Sequence, residues 1–298
     1  MNTTTLAYAT LMLGLMLSNA AARDVYVNNQ LGDDRWDGSQ AVKSGAVGGP
    51  VRSINRALQL ARRGDRVLLE KTVEPYREML TLQAGRHSGF PETPFQLIGN
   101  GAILDGTKPV PEDAWEHHAG DVFRFAPDLK SFQILYLHGR PVSRRNVTPE
   151  GGLPDLRPLE WCHFEREIYF RVEEGRLPRQ YSLMHTAMPV GITLYDTRHV
   201  IVSDLIVQGF QQDGVNAHDG VFDTTLVGLT CRGNGRSGIS VGGASRVRIV
   251  ASLVGDNGTA QVRTEGFSET RIVNSNLLEN SAPAVVQEGG RVLRSEEE

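Results

Sequence analysis

Lysine is scarce in this sequence: Lys43, Lys71, Lys108 and Lys130 are the only ones, and none follows residue 130. The side-chain cations of the second half are therefore arginines, and a guanidinium barely deprotonates, so no amine base is available there. Cysteine is scarce too. Cys162 and Cys231 are too few for a disulfide scaffold; Cys231 stands in an apolar strand beside Leu229, which favours two buried thiols, one bridge being the other arrangement. Excess positive charge is missing, with a net charge of −4, which sets nucleic acid aside as a partner. The eight histidines lack metal-ligand spacing, and His117 and His118 read as a surface pair. Residues 1–22 contain no charged side chain at all. An apolar run over 6–17 and three alanines at 20–22 before Arg23 read as a secretory signal; a retained membrane anchor is the other reading, for which the run is short. Removal of the signal leaves a secreted or periplasmic protein with no membrane segment, long enough for one large domain.

What the chain does contain is a repeat. Gly191-Ile192, Gly214-Val215, Gly238-Ile239, Gln261-Val262 and Ala284-Val285 recur at steps of 23, 24, 23 and 23 residues, the mark of stacked like units. Asn234, Asn257 and Asn280 form a second column, with Gln211 one step earlier; amides at one turn of each unit can bond their neighbours above and below. Apolar residues alternate within each unit (Val200, Val202; Leu205, Val207; Val247, Ile249), broken every few residues by Gly, Asn, Asp or Ser. That is strand and turn with no helical spacing. The fold class is all-β: a right-handed parallel β-helix, one chain coiling with about 23 residues per turn. The consensus of a leucine-rich repeat is missing.

The beginning of the mature chain differs. Residues 24–28 alternate as a strand, Gly32-Asp33-Asp34 and Asp37-Gly38 make a turn-rich loop, residues 50–58 run into a helix that ends at Gly64, and residues 65–69 resume strand. Tyr76-Arg77-Glu78, Ser88-Gly89, residues 94–98 and residues 103–106 follow. This run resembles the N-terminal cap and first coils of secreted pectate-lyase-like β-helix proteins, among them polysaccharide lyase families nine and six and their bacterial relatives. The resemblance implies the fold and says little about activity. The cap has its own physics. Ile54, Ala57, Leu58 and Ala61 sit at i, i+3, i+4 and i+7, so one helix face can cover the open end of the stack.

Four segments follow: the signal (1–22), the cap and first coils (23–106), an interruption (107–190) and the regular coils (191–298). The interruption holds Trp115 and Trp161 and three short strand patterns, at 122–125, 132–137 and 168–172. It reads as an antiparallel β excursion packed on the coils, able to wall a cleft or to serve structure alone. After Gly290 only eight residues remain, ending in three glutamates; the last coil must be protected by this charged tail or by self-association.

Parity places the chemistry. Residues following the apolar anchors point outward as the column Thr193, Asn216, Ser240, Arg263, Val286; two further on stand Tyr195, His218, Gly242, Glu265 and Glu288. With coils about 4.8 Å apart, these make a polar face with a glycine floor, suited to an extended sugar chain. In the lyases the sequence resembles, uronide chains are cut by β-elimination, typically with a lysine or arginine base and Ca2+ on clustered carboxylates. Here the later coils have no lysine and no dense acidic cluster, so no metal ligand is assigned and Ca2+ stays open. The residues present offer His218 as base, Tyr195 as acid and Arg263 or Asn216 as carboxylate partner, with Ser240, Glu265, Asp219 and Arg236 binding substrate. Asp196 and Asp219 also suit plain turns, and Asp213 points by parity inward or into the preceding turn, a structural place. A polygalacturonase-type hydrolase is a second reading, using two carboxylates such as Asp219 and Glu265. A non-catalytic carbohydrate-binding or structural β-helix is the third. Acidic polysaccharide is the expected partner in the first two.

Overall fold

Apolar residues two apart in each coil turn to the same side, and stacking those coils gives the interior one continuous apolar column. The computed structural model describes residues 22–296; the signal-sequence expectation for residues 1–22 falls almost wholly outside them. The chain winds through three parallel faces. The first is formed by Leu80–Gln83, Ile192–Tyr195, Asp213–Asp219, Ser237–Val241 and the opening residues of Ala260–Val273 and Val285–Ser295. The second runs from Asp24–Val27 and Arg66–Leu69 through Phe222–Val227 and Arg246–Val250 to the far half of Ala260–Val273. The third includes Thr230–Arg232, Leu253–Gly255 and Asn276–Leu277. Ile192, Val215, Ile239 and Val262 are in register and wholly buried, as the repeat predicts.

The cap helix spans Ile54–Leu60, with Ile54, Ala57 and Leu58 buried and the Ser53 hydroxyl accepting from the Arg56 N–H at 3.1 Å. It stops at Leu60, short of Gly64. Ala61 is extended, because Asp65 takes over the turn by accepting from the Arg62 N–H at 2.8 Å.

The three asparagines of the column each cap the turn of the coil before, as the sequence predicts, but their side chains link to one another only at Asn234 and Asn257. Asn257 Oδ1 accepts from the Asn234 N–H (2.9 Å) and Nδ2 (3.1 Å), and Asn234 Oδ1 accepts from the Phe210 N–H at 3.1 Å. Asn280 Oδ1 likewise accepts from a backbone N–H of the coil before, that of Asp256 at 3.0 Å, while its Nδ2 donates to the Asp256 carboxylate (2.7 Å) and not to Asn257; Gln211 Nε2 donates to the Ser131 hydroxyl (2.9 Å). Gln261 Oε1 accepts from Asn257 Nδ2 at 2.8 Å, so the side-chain links from amide to amide do not reach Asn280.

The excursion leaves the coil after Gly106 and returns at Thr186. It has a five-stranded and a four-stranded sheet, antiparallel but for one parallel pairing, around its own core of Leu135, Tyr136, Trp161, Ile168 and Phe170. It leans on turns of later coils: the Tyr136 hydroxyl donates to the Gly233 carbonyl at 2.9 Å. A Cβ on Gly235 would lie 1.5 Å from the Phe132 carbonyl oxygen, so only glycine fits there. At the far end, Val285–Ser295 has a strand neighbour on one side only among the described residues. Both cysteines are free and buried.

Candidate functional site

The outward column of the first face is built as parity requires. Thr81, Thr193, Asn216, Ser240, Arg263 and Val286 stand in register on successive coils. The second column needs a correction. A bulge between Leu194 and Tyr195 sets Tyr195 opposite Asp219 rather than His218. The rings of Tyr195 and His218 still approach, with centroids 6.2 Å apart and planes tilted by 36°. Both side chains are exposed.

At the opposite end of the Asp213–Asp219 strand lies a buried ionic network. Asp213 is fully buried and accepts from Arg236 Nε (3.0 Å) and Nη2 (2.5 Å), from the Ser237 hydroxyl (2.6 Å) and from Asn216 Nδ2 (3.1 Å). The bond to Asp213 raises the Arg236 pKa above the ordinary arginine value. Arg236, expected to bind substrate, is thus committed to holding the face together.

Arg263 is similarly engaged. Its Nε meets Glu265 at 2.5 Å and its Nη2 reaches Glu288 on the next coil. Its backbone lies two coils, roughly 10 Å, from Asn216, and its guanidinium turns towards the far coil. Of the three expected catalytic residues the structure brings together Tyr195 and His218 and separates Arg263 from them. Ser240, between Asn216 and Arg263, is only 3% exposed. The Asp219 carboxylate accepts from the Ala244 N–H at 3.3 Å and covers Gly243, whose φ is +59° and where a Cβ would fall 2.2 Å from Asp219 Oδ1. Its role in the structure is that of a turn residue. Among the described residues no three His, Cys, Asp or Glu side chains gather as metal ligands would.

Two features were not read from sequence. Phe267 is 91% exposed on the turn just past Gly266, at the rim of this face; an aromatic in a glycine-flanked turn was the available signal. Arg248 and Arg271 are in register on the second face, and Phe222 lies between Arg198 and Arg246, with guanidinium carbons 4.9 and 5.6 Å from its ring. Asp223 and Glu269 share that surface, which therefore carries mixed charge.

These coils are a right-handed parallel β-helix, the fold the resemblance implied. Residues 183–297 match the family model described as "Right handed beta helix region". A solved structure described as "Glycoside hydrolase" is 11% identical, with a TM-score of 0.58, over 85% of this chain and 73% of its own. Two others superpose less well. A complex of XylC with xylose is 12% identical with a TM-score of 0.44 over 91% of this chain and 70% of its own. Pectate lyase Pel9A is 12% identical with a TM-score of 0.32 over 93% and 78%. At such identities the first likeness is one of fold. No curated protein matches the chain in sequence.

Proposed function

We propose that the first face binds an extended acidic polysaccharide and that Tyr195 and His218 cleave it by β-elimination. The observation that carries this reading is the pair of exposed rings, 6.2 Å apart on adjacent coils beside Asn216. Two groups able to move protons stand within the span of one sugar unit. The His218 imidazole takes the proton from C5 of the uronide. The electron pair left behind forms the C4–C5 double bond, the C4–O bond breaks, and the Tyr195 hydroxyl protonates the departing oxygen. Asn216 spends one amide hydrogen on Asp213 and has a second with which to bond the substrate carboxylate. Phe267 offers an apolar plate for a sugar ring further along the chain.

Incubation with pectate, alginate, chondroitin and heparin-like chains tests this. A new ultraviolet absorbance from unsaturated ends, lost in His218→Ala with the fold intact, is the expected result. Full activity in that variant would remove His218 as the base.

Binding without cleavage is the second reading, favoured by the arginines. Arg236 and Arg263 are both neutralised by carboxylates of the protein, which weakens the stabilisation of a uronate carbanion. Retention of a polymer with neither unsaturated nor reducing ends formed is its signature. Hydrolysis needs two carboxylates facing one bond, whereas Asp219 and Glu265 are held by Ala244 and Arg263.

A further inference from the structure

Where the excursion leans over the later coils it leaves a cleft of about 180 Å³, lined on one side by Val142, Arg144 and Asn146 and on the other by Asp256, Asn280 and Ser281. Arg144 is the unusual member. It is partly buried, and no carboxylate of the described residues lies within 4.0 Å of its guanidinium; no side-chain hydrogen bond holds it either. Loss of water holds its pKa below the ordinary arginine value. Its two titratable neighbours on the adjoining strand supply no negative charge: burial pushes the Cys162 thiol up and the His163 imidazole down, leaving both neutral. A cation in such a place is costly unless an anion joins it. Across the cleft, Asp256 gives one carboxylate oxygen to Asn280 Nδ2 at 2.7 Å and has a second oxygen. A cation, an acceptor and an amide around a space the size of one sugar ring form a recognition set for an acidic sugar.

We propose that this cleft is a binding site for a single uronic-acid unit, with its carboxylate on Arg144 and its hydroxyls on Asp256 and Asn146. The choice of an acidic sugar over any other anion rests on the function proposed above. The site itself is separate from the first face, since every residue facing it comes from the excursion or from the turns that precede that face.

Calorimetric titration of the full chain with glucuronate and galacturonate tests the site, alongside glucose, galactose and inorganic sulfate. Wild type should bind a uronate at least about tenfold more tightly than its neutral parent. Arg144→Gln should lose that preference and Arg144→Lys should keep part of it. Equal affinity for acidic and neutral sugars, or an unchanged Arg144→Gln, overturns the proposal. Sulfate binding as tightly as a uronate would make this a bare anion site and overturn the sugar assignment. Thermal melting supplies the structural control. Arg144→Gln should melt at or above the wild-type temperature, and a large fall would make Arg144 a structural ion and overturn the site. Uronate binding kept in the cleft while no polymer is cleaved would count against the proposed function alone. Polymer cleavage kept while uronate binding is absent would count against the cleft alone.

Discussion

Arg236 grips Asp213 through two nitrogens, at 3.0 and 2.5 Å, and the carboxylate it holds is wholly out of water. Removing one member of such a pair leaves the other as an uncompensated charge, at a cost of about 3–5 kcal/mol. Arg236→Ala should lower the stability measured in denaturant by that order. Asp213→Ala combined with Arg236→Ala should cost less than the two single changes added together. Strict additivity would show the pair to be uncoupled.

The amide ladder gives a second expectation. Asn257 accepts twice from Asn234 and donates to the Cys231 carbonyl at 3.1 Å, all of it buried. Asn257→Ala strands several buried groups at about 1–3 kcal/mol each, so a loss of about 3 kcal/mol or more is expected. Asn280→Ala, at an exposed turn, should cost far less. Equal losses would show that burial of the bonds does not set their cost.

His185 predicts a pH dependence. It is buried against Phe125, with ring centroids 5.0 Å apart, and burial lowers its pKa to about 4 from 6.5. Its folded pKa is depressed, so between those values the unfolded chain binds the proton and the folded chain does not. Stability from this group is present above about pH 6.5 and is lost as pH falls towards 4, by about 3 kcal/mol in all. Denaturant midpoints for His185→Gln should fall less steeply over that window. An unchanged acid limb would assign the loss to other groups.

Cys231 should be inert in the native state. Burial pushes its thiol up to about 12, and the thiolate is the reactive form. A thiol reagent at neutral pH should label it only after unfolding; rapid labelling of the folded protein would contradict its burial.

At the rim of the first face, Phe267→Ala should weaken retention of an acidic polymer severalfold while leaving the melting temperature nearly unchanged, since the ring is 91% exposed. No change in retention would remove it from the binding face.

The sequence alone determined the coil. A period of 23 residues with alternating parity is a local property, and parallel stacking converts it directly into register, which is why the columns from Thr193 to Val286 and the core from Ile192 to Val262 follow from the letters. It also marked the cap, because helical spacing at Ile54, Ala57 and Leu58 is local as well. Only the tertiary structure decided the rest. One bulge at Tyr195 shifted its row, as a single inserted residue changes which neighbour it meets. Arg236 and Arg263 look from sequence like free cations; the carboxylates that bind them include residues on other coils, so their engagement is visible only after folding. The cleft at Arg144 had no sequence signal, because its two walls are more than a hundred residues apart and meet only where the excursion folds back over the turns.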